Sequence, residues 1–398
     1  MPGFELFGEK EREQVQDVLH SGVLMRYGFD GMRNGNWKAL ELEKALTSRM
    51  QVKHAQLVSS GTAALTVALA SAGVGAGDEV IMPTFTFVAS FESILATGAV
   101  PILVDVDDTL TLSPDAVEKA ITERTKVVMP VHMCGSMADL RALKSICQKH
   151  GLLLVEDACQ AIGGTFESKP LGSYGDLGCF SFDFVKTITC GEGGAVITDN
   201  AKFKTHADHY SDHGHDHIGK DRGAEAHPFL GYNYRISELH AAVGLAQIER
   251  LDEFLAIQKR NYSILRDTLS TVSEITFRRV PEGGEESYAF LNFYLPNADT
   301  AKKAHIALGQ GGIDACFYWF DNNWHYYREW EHLLQKKSLG KLPDEVLRQL
   351  PDFSLSDFSL SDHWVGRNIS CLIKLGWSKE EASLRAAKIV EILQEVCP

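Results

Sequence analysis

Lys186 stands in the run Ser181-Phe182-Asp183-Phe184-Val185-Lys186-Thr187-Ile188-Thr189-Cys190-Gly191-Glu192-Gly193-Gly194, between an apolar segment and a glycine-rich turn. Burial at such a place disfavours an ammonium, so a lysine is costly there unless it is paired or used covalently. Its neutral amine attacks aldehydes. Pyridoxal 5'-phosphate is the cofactor that uses a lysine in this way, with an acidic residue opposite its pyridine nitrogen. Asp157 is an acidic candidate, because it follows the apolar run Leu152-Leu153-Leu154-Val155-Glu156, at the carboxyl end of a strand where open α/β sheets place ligands. Ser59-Ser60-Gly61-Thr62-Ala63-Ala64-Leu65 follows another apolar strand and opens a helix. Such a start offers unpaired N–H groups and the positive end of the helix dipole to a phosphate. Taken singly, each has an ordinary reading: a surface turn lysine, a helix N-cap carboxylate, a hydroxyl-rich cap. Lysine, carboxylate and cradle at strand ends of one sheet together point to the cofactor.

The elements that must position these groups are legible as alternation. Apolar β-rich runs at Gln56–Ser59, Glu79–Met82, Val100–Asp105, Lys126–His132, Leu152–Glu156, Gly178–Phe182 and Ala195–Thr198 are separated by helical stretches. That order implies a mostly parallel sheet with helices on both faces. The strands are too apolar to alternate in and out, as expected when both faces are covered. Ile236 to Leu269 reads as one long helix with Ser237 at its N-cap. The domain boundary falls on it, giving a large cofactor-binding α/β domain over 1–245 and a smaller α+β domain over 246–398. The second part carries apolar runs at Ile275–Arg279, Ala289–Leu295 and Ala315–Phe320, helical Thr300–Leu308 and a final helix Ser378–Val396.

The segments Ser60–Leu65, Pro83-Thr84-Phe85-Thr86-Phe87-Val88-Ala89-Ser90, Glu156-Asp157-Ala158-Cys159-Gln160-Ala161-Ile162-Gly163, Ser181–Lys186, Gly191–Gly194 and Gly231-Tyr232-Asn233-Tyr234-Arg235 follow one another in this order. In that order the chain resembles the DegT/DnrJ/EryC1/StrS sugar aminotransferases over nearly its whole length. The resemblance implies the aspartate-aminotransferase-like fold, fold type I among pyridoxal-phosphate enzymes. It implies that Lys186 bonds to the cofactor's aldehyde, Asp157 pairs with the pyridinium and Gln160 contacts the ring hydroxyl. It further implies that Phe87 stacks on the ring and that Gly61, Thr62 and Ser181 hold the phosphate. Asn233 would reach that phosphate from a neighbouring subunit, making the active unit a homodimer. Phe87 can equally be a core aromatic and Asn233 a turn residue. Lys186 stands where a dehydratase branch of the family carries histidine, which favours transamination from an amino-acid donor to a keto or aldehyde sugar. A non-catalytic, cofactor-binding sensor is the reading from another class.

Two further segments are rich in polar chemistry. The loop His206–Gly223 contains His206, His209, His213, His215 and His217. Its spacing matches no metal-binding motif, so no metal is expected, and it reads either as a substrate loop or as a solvated loop. For an acceptor that carries a carboxylate, such as a sugar acid, the available cations and donors are Arg33, His215, His217, Lys220 and Arg222. The run Cys316-Phe317-Tyr318-Trp319-Phe320-Asp321-Asn322-Asn323-Trp324-His325-Tyr326-Tyr327 sets aromatic faces beside amides. It is either a carbohydrate surface or a core strand of the small domain.

Composition removes other classes. The 398 residues carry 39 Lys plus Arg against 53 Asp plus Glu, a net charge of −14 that repels polyphosphate, so nucleic acid is not an expected partner. With 44% hydrophobic and 23% charged residues the chain can build a sizeable core. No leader pattern opens it and no run long enough to cross a membrane interrupts it, so a cytoplasmic location is expected. The eight cysteines form no C-x-x-C pair and are expected to be reduced thiols.

Overall fold

A computed structural model describes residues 2–219 and 222–397. Its main sheet has seven strands: β1 (His54–Val58), β2 (Glu79–Pro83), β3 (Val100–Val104), β4 (Thr125–Val128), β5 (Leu153–Asp157), β8 (Leu177–Ser181) and β9 (Gly194–Thr198). They lie in the order β1-β9-β8-β5-β4-β2-β3. Strands β8, β5, β4, β2 and β3 run parallel, while β9 is antiparallel to both of its neighbours. Each expected apolar run is a strand, with ends shifted by a few residues, as backbone hydrogen bonding rather than hydropathy sets where pairing stops. β6 (Thr165–Phe166), β7 (Lys169–Pro170) and β11 (Gly284–Glu285) form a small antiparallel sheet to one side.

Helix Gly61–Ser71 has nine of its eleven residues buried. A helix apolar on all sides belongs in the interior. Packed on β8 and β9, it brings its N-terminus to the sheet's centre. The turn into β5 follows helix Leu140–His150, whose C-cap Gly151 takes a left-handed φ of 68°, a conformation that glycine adopts without steric cost.

The helical stretch after Ser237 is divided. Ser237 is the N-cap, accepting from His240 N, but helix Glu238–Glu249 ends where Arg250 leaves the helical region, and a second helix covers Leu251–Leu269. The Arg250 guanidinium donates to Leu6 O and pairs with Glu11 and Glu253, ties that hold the break. Leu251 and Phe254 of the second helix join the core around β1 and β9. Tyr262, Leu265 and Leu269 join a separate core, so one helix carries both. That second core covers an antiparallel sheet in the order β10-β12-β14-β13, formed by β10 (Thr276–Phe277), β12 (Phe290–Tyr294), β13 (Cys316–Phe317) and β14 (Asn368–Leu372).

The expectation of eight free thiols is corrected at one pair. Cys316 and Cys371 stand opposite each other in the β13–β14 register and are joined as a disulfide; the other six are free. Their separation of 55 residues conceals a neighbourhood that only strand pairing creates. Among the described residues no helix is long and apolar enough to cross a membrane.

Candidate active site

The carboxyl ends of β5 and β8 and the N-terminus of helix Gly61–Ser71 enclose a cavity of about 310 Å³. Of the residues singled out in the sequence, Gly61, Thr62, Phe87, Asp157, Gln160, Ser181 and Lys186 all line it. Arg33, His215, His217, Arg222 and Asn233 do not, and Lys220 lies outside the described residues.

The end of the cavity beside Gly61 is built from the helix start. Ser60 caps the helix by accepting from Ala63 N at 3.0 Å, and Ala64 N bonds to Ser60 O. Among the described residues no acceptor meets the N–H groups of Gly61 and Thr62, which suits such a helix start to an anion. A Cβ on Gly61 would come within 2.7 Å of Ser181 Cβ and 3.0 Å of Ser181 Oγ, so glycine is what keeps the two walls of the cradle together.

Asp157 closes β5 and is 4% exposed. Ser90 Oγ donates to its Oδ2 at 2.8 Å, and Cys159 N donates to its Oδ1 at 3.2 Å. No helix starts at this carboxylate, so it is not an N-cap. Gln160 Oε1 accepts from Cys134 N at 3.0 Å, which leaves the Nε2 end of its amide for the cavity. Lys186 is half-buried in the loop after β8, not enclosed as expected, because Phe184 and Val185 beside it are open to solvent. Among the described residues its ammonium has no ion-pair partner. A lysine amine, a buried carboxylate at a strand end and a glycine-containing helix N-terminus around one cavity fit a group that presents an aldehyde, a ring nitrogen and a phosphate.

Comparison with known proteins decides which family builds this arrangement. The model of the DegT/DnrJ/EryC1/StrS aminotransferase family matches residues 6–340. The chain belongs to that family. Its members are pyridoxal-phosphate-dependent aminotransferases. An L-glutamine:2-deoxy-scyllo-inosose aminotransferase of Streptomyces kanamyceticus is 39% identical over 295 residues, 72% of this chain and 68% of that protein. A GDP-perosamine synthase of Caulobacter vibrioides is 41% identical over 231 residues, 56% of this chain and 59% of that protein's own length. Among solved structures, a 3-amino-5-hydroxybenzoic acid synthase superposes with a TM-score of 0.78 at 28% identity, covering 98% of this chain and 97% of that one. The aminotransferase of Psychrobacter cryohalolentis shares the fold, with a TM-score of 0.83 at 23% identity over 98% of both chains.

In this family member the described residues of the histidine-rich loop pair within their own chain. His217 Nδ1 lies 3.2 Å from Asp208 Oδ2, and its Nε2 lies 3.0 Å from Asp212 Oδ2. Burial alone would push this imidazole down, but the two carboxylates outweigh it and hold it up at about 9. Arg222 grips Asp212 with both terminal nitrogens at 3.0 and 3.2 Å, and Arg235 pairs with the same carboxylate. His215 Nδ1 lies 2.8 Å from Glu225 Oε2. Arg33 is 1% exposed, 3.5 Å from Glu238, stacked 3.7 Å over Trp37, and donates to Gly28 O and Met25 O. Burial pushes its guanidinium down and the Glu238 carboxyl up, each opposed by the other's charge. Read as substrate donors in the sequence, Arg33, His217 and Arg222 are already paired within the chain. Asn233 is exposed, with Oδ1 accepting from Arg235 N.

The sequence reading gave no role to the cavity residues Thr86, Ser90, Asp183 and Glu192, and Trp324 and His325 also line the cavity. Thr86 and Ser90 sit in a segment that carried the resemblance, but without a role. Trp324 and His325 come from the aromatic run, which divides between the two readings given for it: Trp319, Tyr326 and Tyr327 are core, while Trp324 is 58% exposed at the cavity. Burial pushes the His325 imidazole down to about 3, and the Lys186 ammonium acts in the same direction.

Proposed function

We propose that the protein transfers an amino group from an amino acid, L-glutamate, to C8 of 3,8-dideoxy-8-oxo-manno-octulosonate, giving 8-amino-3,8-dideoxy-manno-octulosonate for lipopolysaccharide. It would act in the cytoplasm as a homodimer of two-domain subunits, divided at 245/246, in which Asn233 of each subunit serves its neighbour's cofactor. The observation that carries the aminotransferase reading is the joint placement of Lys186, Asp157 and the Gly61–Thr62 cradle around one cavity.

When bound, pyridoxal 5'-phosphate supplies a ring that draws electrons away from the carbon losing or gaining the amino group. Lys186 would anchor the cofactor and, once released, move the proton at that carbon with its Nζ. Asp157, held by Ser90 and Cys159, would hold the proton on the ring nitrogen. Gly61, Thr62 and Ser181 would bind the phosphate, Phe87 would cover the ring face and Gln160 would donate to the ring hydroxyl.

The sugar-acid acceptor rests on a likeness to 8-amino-3,8-dideoxy-manno-octulosonate transaminase, in Met32–Asn34, Val131–Met137, Lys186–Gly194, Ser211–Gly223, Phe317–Trp319 and Asn322–Tyr326. The GDP-perosamine synthases among the relatives favour a second reading, a nucleotide-linked keto sugar. The test is an assay of the purified enzyme with glutamate against the 8-oxo octulosonate and a panel of nucleotide-linked keto sugars. Turnover with the octulosonate alone is expected; turnover only with the nucleotide sugars would overturn the acceptor and leave the aminotransferase intact.

A further inference from the structure

Trp324 and His325 belong to the chain beyond β13, yet they wall a cavity whose chemistry comes from β5, β8 and helix Gly61–Ser71. Two backbone bonds put them there: Thr86 N donates to His325 O at 3.0 Å, and Val88 N donates to Trp324 O at 2.9 Å. Tyr326 continues the contact as a bridge to Phe85. The segment is thus pinned antiparallel to the stretch that carries Phe87, and the Trp324 ring sits 5.6 Å from the Phe87 ring.

The indole is costly where it stands. An aromatic side chain 58% exposed leaves apolar surface in water that burial elsewhere would remove, and no ring besides Phe87 packs on it among the described residues. A flat apolar face in the wall of the cavity matches the C–H face of a sugar ring or chain, whose hydroxyls then point away from it.

His325 supplies the complementary polar group. Asn322 Oδ1 accepts from Trp324 N at 3.0 Å, which identifies that atom as the amide oxygen, and the same oxygen lies 2.8 Å from His325 Nδ1. An oxygen acceptor requires Nδ1 to carry the proton, so in the neutral ring Nε2 is a lone-pair acceptor. The ring is held between Phe87 at 5.4 Å and Trp319 at 4.5 Å. Among the described residues no protein donor reaches Nε2.

We propose that Trp324 and His325 form the acceptor-binding wall of the cavity, the indole stacking on the apolar face of the sugar and His325 Nε2 accepting from one of its hydroxyls. The proposal rests on the sugar-aminotransferase reading and specifies which side chains select a polyhydroxylated acceptor over the amino-acid donor. It makes Trp324 a reporter as well as a contact.

The experiment uses the cofactor-loaded enzyme with the 8-oxo octulosonate and, separately, a GDP-linked keto sugar as acceptors. Adding the acceptor that turns over should quench tryptophan fluorescence in the native enzyme, and Trp324→Phe should abolish the quench. Trp324→Ala should raise the acceptor KM about tenfold or more, with kcat moving far less, and Trp324→Phe should recover most of that loss. His325→Phe should raise the same KM, and His325→Gln, which keeps an acceptor oxygen, should recover part of it. An unchanged acceptor KM in Trp324→Ala, or a loss confined to kcat, would overturn the wall. The glutamate half-reaction of the native enzyme, followed by cofactor absorbance, separates this from the underlying reading: its absence would overturn the aminotransferase itself.

Discussion

Ser90 Oγ donates to Asp157 Oδ2 at 2.8 Å while Thr86 Oγ1 lies 2.7 Å from Ser90 Oγ. The carboxylate at the end of β5 is therefore oriented from the first turn of helix Ala89–Ala96, across the cavity from its own strand. Replacing Asp157 by Asn should leave cofactor binding in place and lower kcat by about a hundredfold or more, the scale of losing one preorganised electrostatic contact. Ser90→Ala should cost about tenfold, since Cys159 N still holds the other oxygen. Steady-state rates alongside a cofactor titration check both; unchanged turnover in Asp157→Asn would remove it from the chemistry.

Borohydride reduction of the loaded enzyme, followed by peptide mass spectrometry, should place the cofactor on Lys186. Lys186→Ala should trap none. Adduct on another lysine would move the reactive amine elsewhere.

At Gly61 a methyl group would meet Ser181 Cβ at 2.7 Å. Gly61→Ala should therefore cost about 2 kcal/mol of strain or displacement in the cradle, read as cofactor affinity weakened about thirtyfold. Equilibrium dialysis against the cofactor measures it, and Ser181→Gly in the same chain should return part of the loss.

Arg33 and Glu238 are both buried. Arg33→Met should lower unfolding stability by about 3 kcal/mol, because it leaves the Glu238 carboxylate without its counter-charge. Adding Glu238→Gln should recover much of this. Denaturant unfolding reads the effect; a raised acceptor KM at undiminished stability would instead make Arg33 a substrate contact.

The Asp208–His217–Asp212 cluster gives the loop a defined pH window. The His217 value is raised from 6.5 to about 9, so its contribution is complete below the ordinary histidine value and is lost as pH rises through about 9. Asp208 and Asp212 are lowered despite burial, which opposes the shift, by bonds from His217 and the neighbouring cations. Their contributions are complete above the ordinary aspartate value and fade only as pH falls well below it. Limited proteolysis of the 212–235 segment should therefore accelerate between about pH 7 and about pH 10 in the native chain. In His217→Gln the segment should be cut faster at neutral pH, and the dependence on pH should flatten.

Much of the candidate cavity's lining was legible because its signals are local. A strand end followed by Ser60-Gly61-Thr62, an aspartate closing an apolar run and a lysine before a glycine-rich turn are each written in a few consecutive residues, and parallel strands bring their carboxyl ends to one side of a sheet. The central strand β14 was not legible. Asn368 and Ser370 are buried on one of its faces, bonded to Phe293 O, Asn292 and Trp319, while Ile369 and Cys371 on the other join the small-domain core, so no continuous apolar run announces it. The fate of charge also lay beyond the sequence: Arg33, His217 and Arg222 are donors by type, but Glu238, Asp208 and Asp212 meet them first. Trp324 and His325 reach the cavity only because their backbone carbonyls accept from Val88 and Thr86, more than 200 residues away. Residue type and short-range spacing determined what chemistry the chain could hold. Tertiary structure decided which groups remain free to perform it, because a buried charge or hydrogen-bonding group must take whichever partner the fold brings within reach.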